Sequence, residues 1–283
     1  MQNNLPSWIK VKEFNRKKYE KIATLLRDKK LTTVCIEANC PNRYECFAKK
    51  TATFMILGDT CTRNCRYCNI KKGTPQKVDK LEGKRIADTI KLLNLDYAVI
   101  TSVTRDDLPD GGAEQFVKVI QEIRKEKPDC KIELLISDLQ GKWKNLKKIL
   151  LEKPDVLNHN IETTKKLFPV MRAKGNYSIS LELLKKVKEI DKTIITKSGF
   201  MLGLGETKKE ITETIKDLKN AGCEIITIGQ YLQPNENCVN VQKYYTQEEF
   251  DEIAVKNSRD DVKIIAGPLV RSSYKAKESF LKK

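Results

Sequence analysis

From residue 51 onward, short β-rich apolar runs alternate with amphipathic stretches of helical spacing. The runs are TATFMILG (51–58), YAVITSV (97–103), KIELLIS (131–137), DVLNHNIE (155–162), TIITKSGFMLGLG (193–205) and EIITIGQYL (224–232). Between them lie RIADTIKLLNL, with Ile86, Ile90 and Leu93 on one face, then AEQFVKVIQEIRKE, WKNLKKILLEK, SLELLKKVKEI and KKEITETIKDLKNA. Periodicity that switches between two and 3.6 residues predicts alternating strands and helices. Strands separated by helices pair in parallel through right-handed crossovers. Six such units are too few for a closed eight-stranded barrel, so the expected fold is α/β, an open (β/α)6 partial barrel. Chemistry in barrels of this kind gathers at the C-terminal ends of the strands. The expected organisation is an N-terminal extension (1–50), the barrel (51–235) and a C-terminal extension (236–283). The last of these holds a helical stretch, TQEEFDEIAVKNS, and one more short strand, VKIIAGPLV (262–270).

The chain has nine cysteines and a single histidine, His159. No apolar run approaches the roughly 18 residues of a membrane span, and the N-terminus, MQNNLPSWIKVKEF, lacks the apolar centre of a signal peptide. A cytoplasmic location with no membrane partner is therefore expected. There thiols stay reduced and serve metals or catalysis rather than disulfides. Six of the nine cysteines form two triplets, Cys35/Cys40/Cys46 and Cys61/Cys65/Cys68, the second directly after the first barrel strand. Thiolates are soft ligands that select iron–sulfur clusters or zinc. Structural zinc takes four ligands, usually as paired Cys-x2–4-Cys knuckles, and neither triplet has that form. Two 4Fe–4S clusters, each held by three cysteines, use the six without remainder and leave one iron of each to another ligand. A zinc site would have to combine all six.

Cys-x3-Cys-x2-Cys at the end of the first strand, with Tyr67 before the last cysteine, resembles the radical SAM superfamily. The preceding triplet in CIEANCPNRYEC narrows the resemblance to the lipoyl synthases. So do GDTCTRNCRYCNI, TSVTRDDLPDGGAEQF (101–116), NHNIET (158–163), MLGLGET (201–207), GQYLQP (229–234) and GPLVRSSY (267–274). The motifs occur in order over nearly the whole chain.

The resemblance implies that the open iron at Cys61, Cys65 and Cys68 chelates S-adenosylmethionine (SAM), whose reductive cleavage yields a 5′-deoxyadenosyl radical. It implies an auxiliary 4Fe–4S cluster on Cys35, Cys40 and Cys46, closed by the hydroxyl of Ser273 and consumed as the sulfur source. Two sulfurs then enter an octanoyl chain at C6 and C8, the chain being amide-linked to a lysine of a carrier protein or domain. It also implies a low-potential electron donor, such as a ferredoxin or flavodoxin, and an iron–sulfur carrier that rebuilds the spent cluster. Asn160 and Glu162 are candidates for the SAM amine or ribose, or simply satisfy backbone groups at a strand end. Arg172 suits the SAM carboxylate or is a solvated surface arginine. Gln230 and Leu232 are placed for adenine, which backbone groups would read, and Arg271 for support of the serine corner. His159 reads as packed rather than catalytic. GLG (203–205) is a strand-end turn or part of a nucleotide site. Cys130, Cys223 and Cys238 read as small buried residues. Lys275 stands where a histidine is common in the family.

The net charge of +16 attracts acidic partners and raises encounter rates. An acidic carrier domain is the expected beneficiary, though a lysine-rich surface with no partner is also compatible. Nucleic acid is not expected. A radical SAM tRNA methylthiotransferase is the alternative, but 236–283 leaves no room for the RNA-binding β-domain that such enzymes add. A metal-stabilised nucleic-acid binder lacks base-stacking motifs.

Overall fold

In the computed structural model the described residues are 5–10, 15–49, 51–258 and 261–281. They fall into two compact units. One comprises 11–63 and 70–156; the other comprises 1–10, 64–69 and 157–283.

The first unit begins with α1 (Arg16–Asp28), whose N-terminus is capped by the Asn15 side chain. Then come β1 (Thr32–Thr33), α2 (Val34–Glu37) and α3 (Arg43–Ala48). Next are β2 (Thr53–Ile56), β3 (Thr60–Cys61), β4 (Lys71–Lys72), α4 (Glu82–Leu93) and β5 (Tyr97–Ser102). α5 (Ala113–Glu126), β6 (Lys131–Leu135) and α6 (Trp143–Leu151) complete it. The order β1-β2-β5-β6 holds β1 antiparallel to β2 and the rest parallel, with Thr53 opposite Val99 and Tyr97 opposite Lys131. The strands read as continuous apolar runs because helices cover them; all of Thr53–Ile56 is buried. Ile86 and Ile90 of α4 and Phe116 and Ile120 of α5 are buried as the helical spacing predicts, while Leu93 is half-buried.

The second unit carries β7 (Val156–Asn158, of which Val156 lies in the first unit), α7 (Phe168–Met171), α8 (Tyr177–Ile190), β8 (Ile195–Leu202) and α9 (Lys208–Asn220). β9 (Ile225–Gln230), α10 (Gln247–Asn257), β10 (Lys263–Gly267) and α11 (Ala276–Leu281) follow. β8, β9 and β10 are parallel, with Lys197 and Lys263 on either side of Ile225. The late strand β10 thus extends the parallel sheet past the last expected unit. α9 and α10 both start on capping boxes, Thr207 with Glu210 and Thr246 with Glu249. Phe200, Ile211, Ile215, Ile226, Ile228 and Phe250 belong to one buried cluster.

The run 155–162 is shorter as a strand than its composition suggests. β7 stops at Asn158, and Glu162 takes a left-handed φ of 70°, which a continuous strand cannot contain. The chain re-pairs only once, through a parallel bridge from Glu162 to Phe200. That break is what turns the NHNIET side chains out of a regular ladder.

Candidate functional site

The first cysteine triplet sits on a compact turn. Cys35 lies in α2, and the N–H of Cys40 donates to its carbonyl at 3.1 Å. Asn39, with φ 50°, reverses the chain between the two, and Cys46 follows in α3. Arg43 braces the turn, donating to Asn39 Oδ1 at 2.7 Å and to Tyr44 Oη at 2.6 Å. The N–H and hydroxyl of Thr51 both donate to the Cys46 carbonyl. The three thiols are close enough to feel one another. Burial pushes the Cys35 thiol up to about 11, with Cys40 adding to it and Thr53 donors opposing. Burial, then Cys35 and Cys40, push Cys46 up to about 12. The thiols are buried (Cys35) or half-buried (Cys40, Cys46) and none is in a disulfide; a bound metal would take them as thiolates with loss of their protons. The donor set fits the group. Among the described residues no three acidic, histidine or cysteine side chains gather as ligands of a single metal ion.

The second triplet begins at Cys61, the end of β3, which lies parallel to β4. The Gly73 N–H donates to the Cys61 carbonyl at 3.1 Å, and the Arg63 N–H points at its sulfur at 3.4 Å. Arg63 is the anchor of this loop, and sequence reasoning passed it over. Its side chain is 3% exposed and its guanidinium grips two carboxylates. It meets Asp106 at 2.7 and 2.9 Å and Asp138 at 2.6 Å twice. Thr62 adds a second clasp: its N–H and hydroxyl donate to the Thr104 carbonyl, and its Oγ1 accepts from the Asp106 N–H. TSVTRDD supplies only one of the two acids, Asp106, while its Asp107 pairs with Arg105, so nothing in that stretch pointed to Arg63.

Cys65 and Cys68 belong to the second unit, where the Cys68 N–H donates to the Cys65 carbonyl at 3.2 Å. Arg66 is pinned on both sides of its peptide, by Met171 O and by the Val239 N–H. Tyr67 packs against Met171, Leu204 and Tyr231. Its hydroxyl pKa is raised by burial, then by Glu162 and Cys65. Cys238 is buried, as expected, but its thiol also donates to the Cys68 carbonyl at 3.7 Å. Cys130 and Cys223 are plainly buried, with thiols pushed up to about 11 and about 12 chiefly by burial.

The same unit brings Tyr67, Asn160, Glu162 and Arg172 together. Burial raises the Glu162 carboxyl, while Arg172 and Asn160 hold it down. Arg172 is buried rather than solvated, stacks 5.6 Å from the Phe168 ring centre and donates to the Asn160 carbonyl at 2.9 Å. The buried Oδ1 of Asn160 and the hydroxyls of Thr163 and Thr164 have no partner among the described residues. Orphaned polar atoms at a strand end are rare unless a ligand satisfies them, so these residues fit SAM. His159 is buried, with its N–H on the Lys197 carbonyl.

Gln230 is used internally: Nε2 donates to Tyr231 O and Lys243 O, and Oε1 accepts from the Tyr245 N–H. Its side chain shapes the segment after β9, and Leu232 is half-buried within that segment. The 203–205 turn is closed by Glu206, which accepts from the Gly203 and Leu204 N–H groups at 2.6 and 2.9 Å. Those two donors are spent on Glu206, which closes 203–205 as a turn. At the C-terminal motif, Arg271 donates to the Val270 carbonyl at 2.6 Å. Ser272 Oγ accepts from Asn160 Nδ2 at 3.1 Å. The half-buried Ser273 hydroxyl has no partner among the described residues, unlike Ser272.

Residues 55–218 match the Radical SAM superfamily. The lipoyl synthase of Caldicellulosiruptor saccharolyticus is 50% identical over 282 residues, 99% of this chain and 98% of that protein. That of Desulfotalea psychrophila is 50% identical, covering all of this chain and 95% of the relative.

The chain belongs to the lipoyl synthase family.

Solved structures extend the likeness in shape alone. One of HydG, a maturase of the FeFe-hydrogenase, matches with a TM-score of 0.61 at 15% identity, over 96% of this chain and 67% of that one. Methylornithine synthase matches with a TM-score of 0.52 at 13% identity, over 75% of this chain and 70% of that one. The fold of this lipoyl synthase family member is therefore the α/β partial barrel of radical SAM enzymes. Iron–sulfur and SAM chemistry come with the family. No helix among the described residues is long and apolar enough to cross a membrane.

Proposed function

We propose that the chain inserts two sulfur atoms at C6 and C8 of an octanoyl group amide-linked to a lysine of a carrier domain. The supporting observation is the pair of separate cysteine triplets in the sequence of a chain half identical to lipoyl synthases. Cys61, Cys65 and Cys68 are assigned to the radical SAM cluster. Four residues of chain span at most about 14 Å, so Cys61 and Cys65 remain within reach of one cluster. Cys35, Cys40, Cys46 and Ser273 are assigned to the auxiliary cluster. Together the bound groups supply electron transfer, a carbon radical and the sulfur.

The protein's part is to hold, orient and keep dry. Arg63 fixes the loop after Cys61 by clamping Asp106 and Asp138. Tyr67 walls the space against Met171, Leu204 and Tyr231. Glu162 and the unpartnered Asn160 Oδ1 would hold the SAM amine and ribose as acceptors. Arg172 holds the Asn160 carbonyl and would supply the positive charge for the SAM carboxylate. Gln230 keeps the 231–245 segment in place, so that backbone groups around Leu232 meet adenine. Asn160 binds Ser272 and thereby leaves Ser273 as the open hydroxyl, with Arg271 bracing the turn before it. An oxygen ligand matches iron–sulfur chemistry less well than a thiolate, which suits a cluster that gives up its sulfur. The electron donor is a low-potential protein, and an iron–sulfur carrier rebuilds the auxiliary site. The six β/α units of the barrel lie within 51–235, and β10 of the C-terminal extension continues their sheet beside β9.

Anaerobic reconstitution with an octanoyl-lysyl peptide, SAM and a low-potential reductant tests this directly. The expected product gains two sulfurs by mass. A methylthiolated RNA product with an unmodified peptide would falsify the assignment.

A further inference from the structure

Residues 70–81, IKKGTPQKVDKL, form an exposed strap that leaves Cys61's partner strand and ends at α4. Both ends are tied down. Lys71 and Lys72 of β4 stand in register with Thr60 and Cys61, and the Gly73 N–H donates to the Cys61 carbonyl. At the far end Asp79 accepts from the Leu81 N–H at 2.8 Å, and its carbonyl accepts from Gln115 Nε2 at 3.0 Å. Asp79 is the strap's one acid, and Arg85 already holds it at 2.7 Å. Lys71, Lys72, Lys77 and Lys80 are all exposed, and among the described residues none has an acidic partner. Some helix lysines of the same unit are paired, Lys84 with Asp88, Lys118 with Glu114 and Lys91 with Glu126, while Lys144, Lys147 and Lys148 of α6 are exposed without an acidic partner among the described residues. What sets the strap apart is its place: four unneutralised lysines stand on a braced edge beside one proposed cluster ligand.

We propose that the strap 70–81 is the docking edge for an acidic face of the octanoylated carrier domain, a proposal that rests on the function given above. The reacting chain is tethered to a folded domain, which has to park beside the cluster loop for its arm to enter. Four ammonium groups on one edge act over a Debye length of about 10 Å at 0.1 M salt. Charges at a rim chiefly raise the rate of encounter. Leu81, 67% exposed, offers an apolar contact at the end of the edge. The strap has no aromatic residue and no arginine. It therefore lacks the stacking platforms and bidentate forks that single-stranded nucleic acid calls for.

The test compares the reconstituted enzyme with its Lys71→Gln/Lys77→Gln/Lys80→Gln variant. Lys72 is left alone because its backbone stands opposite Cys61. Two substrates are used, an intact octanoylated carrier domain of net negative charge and a free octanoyl-lysyl peptide. At low salt the variant's Kd and KM for the carrier are expected to rise about 10-fold, with the gap closing as salt is added. Sulfur insertion into the peptide should stay within about twofold of wild type. An unchanged carrier Kd and salt dependence overturns the proposal, as does an equal loss on peptide and carrier. Loss of affinity for a single-stranded RNA oligonucleotide with carrier binding intact assigns the edge to nucleic acid and overturns it too. Wild-type enzyme that binds the carrier through the strap but adds no sulfur defeats the function instead, and the Kd comparison still reads the docking.

Discussion

Arg63 shows how a single buried charge can set the geometry of a cluster loop. Its guanidinium lies between Asp106 and Asp138, with the Asp138 side chain also only 3% exposed. Removing one partner of a buried, hydrogen-bonded charge cluster costs about 3–5 kcal/mol, since the other charges are left uncompensated. Arg63→Ala should therefore lower the urea midpoint markedly. Arg63→Lys should keep the fold but lose the fork that grips both acids, and with it iron at Cys61. A Lys variant with full iron and wild-type SAM cleavage would show the clamp to be purely structural. The two serines of the C-terminal motif separate in the same spirit. Ser273→Ala should lower auxiliary iron and sulfur insertion while leaving SAM cleavage intact. Ser272→Ala removes the acceptor for Asn160 Nδ2 and should instead raise the KM for SAM. Identical phenotypes would undo that division. The cysteine triplets stood out in the sequence because thiolate ligands recur at particular spacings, whereas Ser273 came only from the family resemblance and would otherwise read as a turn residue. Arg63 did not stand out, because arginine next to cysteine carries no pattern until two remote acids close around it.

β9 and the segment that follows β10 meet too closely for any side chain. A Cβ on Gly229 would stand 2.1 Å from the Val270 carbonyl oxygen and 3.1 Å from Arg271 Nη1. The contact is with backbone, which cannot step aside as a flexible side chain does. Gly229→Ala should therefore push the 268–273 turn outward, at about 1–3 kcal/mol in stability. Ser272 would then separate from Asn160 and Ser273 from its assigned position. The expected outcome is a folded protein by circular dichroism, with SAM cleavage retained and sulfur insertion reduced at least about tenfold, equivalent to about 1.4 kcal/mol in the barrier. Normal insertion would mean that the turn tolerates the shift. At this scale most strands and helices were readable, since buried parallel strands are continuous apolar runs and the helices keep a wet face. What escaped was local. The break after Asn158 depends on a left-handed Glu162, and glutamate carries no marker for that conformation. The GLG turn was ambiguous until Glu206 was seen to occupy its N–H groups.

Across the whole chain, the proposed function divides chemistry between two cysteine triplets of unequal construction. The triplet at 35–46 rests on short helices and a turn within one unit. Burial first, then the neighbouring thiols, raises Cys35 and Cys46, so a group bound there would have to displace their protons. The triplet at 61–68 depends instead on clasps from distant sequence: Asp106 and Asp138 for Arg63, Met171 and Val239 for Arg66. The two sites share none of these partners, and mutational effects at sites without shared partners add. Replacing Cys35, Cys40 and Cys46 together by Ala should leave about half of the wild-type iron. Reductive SAM cleavage should persist in that variant, with no sulfur appearing in the octanoyl product. Replacing Cys61, Cys65 and Cys68 should also leave about half of the iron, but abolish cleavage and insertion together. Iron and sulfide analysis beside chromatography of 5′-deoxyadenosine reads both outcomes. Insertion that survives loss of the 35–46 triplet would remove that site as the sulfur source. Loss of nearly all iron from either variant would mean that the two sites assemble as one.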